Sequence, residues 1–136
     1  MIKTDAQRER TLVQIEGFRR ALAKAEREAA GKRAAAIRGS YEGMIRQLEA
    51  EVEEYDHLRS GQFFLPSVER IDQIAPYLPK LRIARGISQT ELARRLSVSK
   101  QIVSRYEENA YEGVSIARLQ ELLDALGVKA KVTLTA

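Results

Sequence analysis

The stretch Ser88–Glu107, SQTELARRLSVSKQIVSRYE, constrains this chain more than any other. It holds two short helical patterns joined by a tight break. Ser88 is placed to cap the first, and Glu91, three residues on, to close a capping box. Leu92, Ala93 and Leu96 fall on one face, with Ala93 small where a second helix must cross closely and Val98 set to plug the turn. Ser99 is a natural N-cap for the second helix, whose apolar face is Val103 and Tyr106. The other face carries Lys100, Gln101, Ser104 and Arg105, all able to bond to base edges or phosphates. Folding alone does not require that set, although a solvated helix surface is the bland account of it.

The N-terminal region predicts two long helices. Arg8, Thr11, Ile15, Phe18, Leu22, Ala25 and Ala29 repeat at alternating steps of three and four, the seam of a coiled coil, and Tyr41, Ile45, Leu48, Val52 and Tyr55 repeat the pattern beyond Gly31 and Lys32. Folding back at that pair sets Leu22 opposite Tyr41, Phe18 opposite Ile45, Ile15 opposite Leu48 and Thr11 opposite Val52, so one hairpin centre satisfies every layer. Gly39 interrupts the second pattern, and the helix is free to start at Ser40. Two facing seams bury only a narrow stripe. A further surface is therefore needed: a second copy, the chain's own C-terminal domain, or a different protein. The acids Glu49, Glu51, Glu53, Glu54 and Asp56 read as a solvated face, or as a surface for a basic protein such as a ribonuclease.

Ser60 and Gly61 stop this region, and Phe63, Phe64 and Leu65 are expected to anchor the linker to the following domain. Ser67 is expected to cap a bracing helix holding Val68, Ile71 and Ile74, ended by Pro76. Beyond it Leu78, Leu81 and Arg82 begin a compact domain. Gly86 ends that helix, and Ser115 caps a last one with Ile116, Leu119, Leu122, Leu123 and Leu126 inward, closed by Gly127. The expected organisation is all-α: an antiparallel hairpin over 1–60, a linker and brace over 61–76, a five-helix domain over 77–128 when the brace is counted, and a tail over 129–136. In that tail Val132 and Leu134 alternate with Lys131, Thr133 and Thr135, the pattern of a short strand or of a frayed end.

Residues 77–128 resemble the helix-turn-helix domain of the Xre family, the group of the phage repressors and Cro. The likeness is carried by Gln89, Leu92, Ala93, Leu96, Val98, Val103, Tyr106 and Glu107, with Arg82 and Gly86 before them and Leu122 to Val128 after. It implies that Gln89 touches phosphate, that Lys100, Gln101, Ser104 and Arg105 face the major groove beside the helix start at Ser99, and that Arg82 and Glu107 form an internal ion pair. Ser97 departs from the pattern, since the family favours Gly in that turn. The whole layout more loosely resembles HigA-like antitoxins of type II toxin-antitoxin operons, which implies a toxin partner.

Charge agrees with the placement of the motif. Residues 1–60 hold 12 Lys or Arg against 11 Asp or Glu, while residues 77–109 hold 7 against 3, so the net +4 of the chain gathers around the motif. The absence of cysteine excludes a disulfide framework and a thiol nucleophile. A lone His57 and no Gly-rich phosphate loop leave no catalytic constellation, and neither a metal nor another cofactor is expected. No apolar run reaches the length of a membrane span. The expected protein is a cytoplasmic regulator, nucleoid-associated when bound, that meets double-stranded DNA at a palindromic operator as a homodimer. A protein-interaction scaffold whose motif has lost its site is the alternative.

Overall fold

The computed structural model describes residues 1–136 and is helical throughout. The chain divides into two compact units, Met1–His57 and Leu58–Ala136. The first is the helical hairpin. Its helix α1 spans Asp5–Glu28, started by the Thr4 side chain accepting from the Gln7 amide, while Gln7 returns its own side-chain oxygen to the Lys3 amide. Helix α2 spans Gly31–Arg59.

The reversal falls on Ala29 to Gly31, where Gly31 adopts φ +65°, so Lys32 already belongs to α2. Helix α2 also runs unbroken through Gly39 rather than starting at Ser40. The seam on both sides outweighs the modest helix penalty of one glycine. Ile15, Ile45 and Tyr55 are buried along the seam, and the Phe18 ring lies 6.1 Å from that of Tyr41, one turn nearer the tip than Ile45. Polar pairs fix the same antiparallel register along the length. Arg8 forks onto Asp56 at 2.6 and 2.9 Å, Arg19 reaches Glu49, Arg38 meets Glu26 at 2.6 Å, and the Tyr55 hydroxyl donates to Asp5 at 2.7 Å. The hydrogen bond from Arg8 holds the Asp56 carboxyl below its ordinary range.

The second unit contains a 3-10 helix, Ile71–Tyr77, and four α-helices: α3 (Leu78–Ala84), α4 (Gln89–Leu96), α5 (Lys100–Glu108) and α6 (Ile116–Ala125). The brace thus starts at Ile71 rather than after Ser67 and is not ended by Pro76, which lies inside the 3-10 helix, while Pro79 takes the first-turn position of α3 that proline tolerates. Of the linker aromatics only Phe63 packs on the domain, 6.3 Å from Tyr77, while Phe64 and Leu65 face solvent. The core is Leu78, Leu81, Ile87, Leu92, Ala93, Leu96, Val103, Tyr111, Leu122, Leu123 and Leu126, with Val98, Tyr106 and Leu119 packed against it. Ile116, expected inward, is 76% exposed, because it opens α6 beyond the end of that layer. Residues 128–136 form no strand within the chain.

Three helices end in the same way. After α3, Ile87 N donates to Arg82 O and Gly86 N to Ile83 O; after α4, Val98 N donates to Ala93 O and Ser97 N to Arg94 O; after α6, Val128 N donates to Leu123 O and Gly127 N to Asp124 O. The residue at the left-handed position is Gly86 (φ +68°), Ser97 (φ +55°) and Gly127 (φ +68°) respectively. Only Ser97 carries a Cβ there. Ser97→Gly is therefore expected to stabilise the second unit by about 0.5–1 kcal/mol, read as a higher urea midpoint at unchanged slope.

Candidate nucleic-acid interface

The motif helices are positioned by one buried ion pair. Arg82 of α3 places Nε 2.5 Å from Glu107 Oε1 and Nη2 3.0 Å from Oε2, and its Nη1 donates to the Ile87 carbonyl at 2.8 Å. Gln89 of α4 donates from Nε2 to Glu107 Oε2 at 2.8 Å. Arg82, Gln89 and Glu107 are all at most 5% exposed. A carboxylate so placed is satisfied only while α3, α4 and α5 keep this mutual arrangement. Beneath it Tyr111 fills the core, 5.7 Å from Tyr106 between ring centroids. Burial, and after it the Glu107 charge, push the Tyr111 phenol up.

Gln89 is the site residue that the structure moves. Expected to meet phosphate, it lies inside the domain with its amide spent on Glu107, because the first turn of α4 starts against the ion pair. Ser99 keeps its capping place: its Oγ accepts from the Ile102 amide at 3.3 Å. The first amides of α5, on Lys100 and Gln101, have no partner inside the helix and open toward solvent.

Val103 and Glu107 turn α5 inward, and Lys100, Gln101 and Arg105 are exposed together on its outer side, with Ser104 half-buried between them. Neither Lys100 nor Arg105 forms an ion pair within the chain. Glu108 shares this face one turn past Ser104, whose hydroxyl lies 3.4 Å from its Oε1. The sequence reading passed over Glu108, although its spacing of four from Ser104 marked it. An acid at the C-terminal end of the face repels phosphate there and concentrates attraction on the N-terminal end.

The cations of α4 are less available than their number promises. Glu91 does not close the capping box; its carboxylate takes Arg94 at 2.6 and 2.9 Å and Arg95 at 2.9 Å. Arg95 also donates to the Ala125 carbonyl at 2.8 Å, which ties α4 to the electronegative end of α6. The bonds from Arg94, and then Arg95, bring the Glu91 carboxyl down to about 2. The fork is therefore complete above the ordinary carboxylate range and comes apart only as the pH falls toward the lowered value.

Two outcomes follow from this geometry. Glu107→Ala strands Arg82 without its partner and is expected to cost about 3–5 kcal/mol in urea unfolding of the second unit. Glu91→Gln releases Arg94, and is expected to strengthen sequence-independent DNA binding and steepen its salt dependence by about one charge in titrations between 50 and 200 mM salt.

No curated protein and no solved structure matches the chain. No helix is long and apolar enough to cross a membrane. Residues 80–131 match the family described as helix-turn-helix. The part of the chain that presents α4 and α5 is thus a helix-turn-helix domain, the fold of DNA-binding regulators.

Proposed function

We propose that this chain is a sequence-specific DNA-binding transcriptional regulator that represses by occupying a promoter, its own among them, as a homodimer on a palindromic site. The observation that carries this reading is the outer face of α5: Lys100, Gln101 and Arg105 stand exposed while the opposite side is locked by Val103 and Glu107. A rigid helix presenting amide and guanidinium donors is what reading a major groove requires. Gln101 suits adenine, and Lys100 or Arg105 suits guanine. The first amides of α5, on Lys100 and Gln101 beside the Ser99 cap, suit a phosphate. Ser104 and the half-buried Ile102 offer shorter contacts, the latter to a thymine methyl.

One such module covers too little DNA for tight selective binding, which is why a two-fold site is part of the proposal. The narrower reading, an antitoxin that also captures a basic toxin, draws on the acidic run of α2. Arg19 and Arg8 already neutralise Glu49 and Asp56 in that run, so the DNA-binding reading is the one we adopt.

The test is a titration of the purified protein against its own upstream fragment and a scrambled fragment at several salt concentrations. Replacing Lys100, Gln101 and Arg105 together by alanine is expected to remove at least about 100-fold of preference for the native fragment, since each base contact is worth roughly 1–3 kcal/mol. Equal affinity of the unaltered protein for both fragments would leave the motif as a scaffold.

A further inference from the structure

We infer that the groove between the linker and the C-terminal tail of the second unit binds a small amphipathic anion, an aliphatic carboxylate of medium chain length. The inference goes beyond the DNA-binding reading and stands without it.

Residues 65–70, before the 3-10 helix, and residues 128–133, after α6, carry neither helix nor strand, yet the two stretches line one groove of about 350 Å³. Its floor is closed by Tyr77, by Leu81 of α3 and by Leu123 of α6, the last two buried in the core. Its sides hold Leu65 and Val68 from the linker and Val132 from the tail, which are 58%, 37% and 64% exposed. Single exposed apolar side chains are ordinary. Three that converge from distant parts of the chain on one concavity with a buried apolar floor form a place where an apolar group leaves water. The volume lies in the range of small-molecule sites, roughly 300–1,000 Å³. A stable protein interface buries on the order of 1,200 Å², more than a concavity of this size presents.

The class of ligand is set by charge. Glu69, Arg70, Lys129 and Lys131 line the same groove. Arg70 is already forked onto Asp72, at 3.0 Å from Nε and 2.8 Å from Nη2. Lys129 and Lys131 have no carboxylate partner within the chain, so the uncommitted charge is two ammonium groups against one carboxylate. A carboxylate headgroup takes the lysines while its chain covers Leu81 and Leu123. An organic cation of the same shape would meet the lysines as like charges, and an inorganic anion would leave the apolar floor wet.

The test is isothermal titration calorimetry of the full-length protein with decanoate, with decylamine, and with shorter and longer aliphatic carboxylates. Decanoate is expected to bind one per chain with a Kd of roughly 10–100 μM. Affinity is expected to rise about fourfold for each added methylene until the groove is full. Decylamine is expected to bind at least about tenfold more weakly. Lys129→Glu with Lys131→Glu is expected to reverse that preference, weakening decanoate about tenfold and strengthening decylamine, a reversal that loss of fold cannot produce. Leu65→Asp with Val132→Asp, both at exposed positions, is expected to weaken decanoate about tenfold at unchanged helicity by circular dichroism. Equal affinity for decanoate and decylamine, no saturable binding of decanoate, or undiminished binding in the double lysine variant would overturn the site. Decanoate affinity that falls as the protein concentration rises would overturn it in favour of a second copy seated in the groove.

Discussion

The carboxylate of Glu107 is the point on which the C-terminal unit depends. It receives both arms of the Arg82 guanidinium and the amide of Gln89, and Arg82 in turn holds the Ile87 carbonyl. Three helices thus meet at one buried charge. Apolar packing drives these helices together but is indifferent to small rotations about their axes. A buried fork is not indifferent, because a partner displaced by an ångström leaves a charge out of water and unsatisfied. The orientation of α5, and with it the identity of the residues that face outward, is therefore held by direction-dependent bonds on its inner side.

That inner lock shapes the outer electrostatics. With Glu107 inward and Glu91 occupied by Arg94 and Arg95, the free positive charge of the motif narrows to Lys100 and Arg105. Glu108 trims it further at the far end of α5. The surface is consequently one where attraction to phosphate and hydrogen bonding to bases coincide at the start of a helix, where the macrodipole adds to both. Arg94 and Arg95 contribute less than a count of basic residues implies.

The hairpin follows a different logic. Its register is set by the seam and by interhelical polar pairs such as Arg8 with Asp56 and Arg38 with Glu26, which are largely exposed and individually weak. Its core is a single stripe. On the side of α2 away from the seam, a Cβ at Gly39 or Gly43 would meet nothing within 4 Å.

Periodicity and capping chemistry determined most of the architecture. The steps of three and four in the seam, the serines at 88, 99 and 115, and the glycines at 86 and 127 mark the helices and their ends through local backbone physics, which a sequence carries openly. The outward set on α5 was readable for the same reason, since helical spacing separates Lys100, Gln101 and Arg105 from Val103 and Glu107. What the sequence left undecided was every choice between partners. Nothing local says that Gln89 turns inward to Glu107, that Glu91 prefers two arginines to a capping box, or that Arg95 reaches Ala125. Ile116 and Phe64 likewise sit at positions whose burial depends on where the packed layer ends. Those outcomes are settled by groups distant in the chain and adjacent in space, so only the tertiary structure decided them.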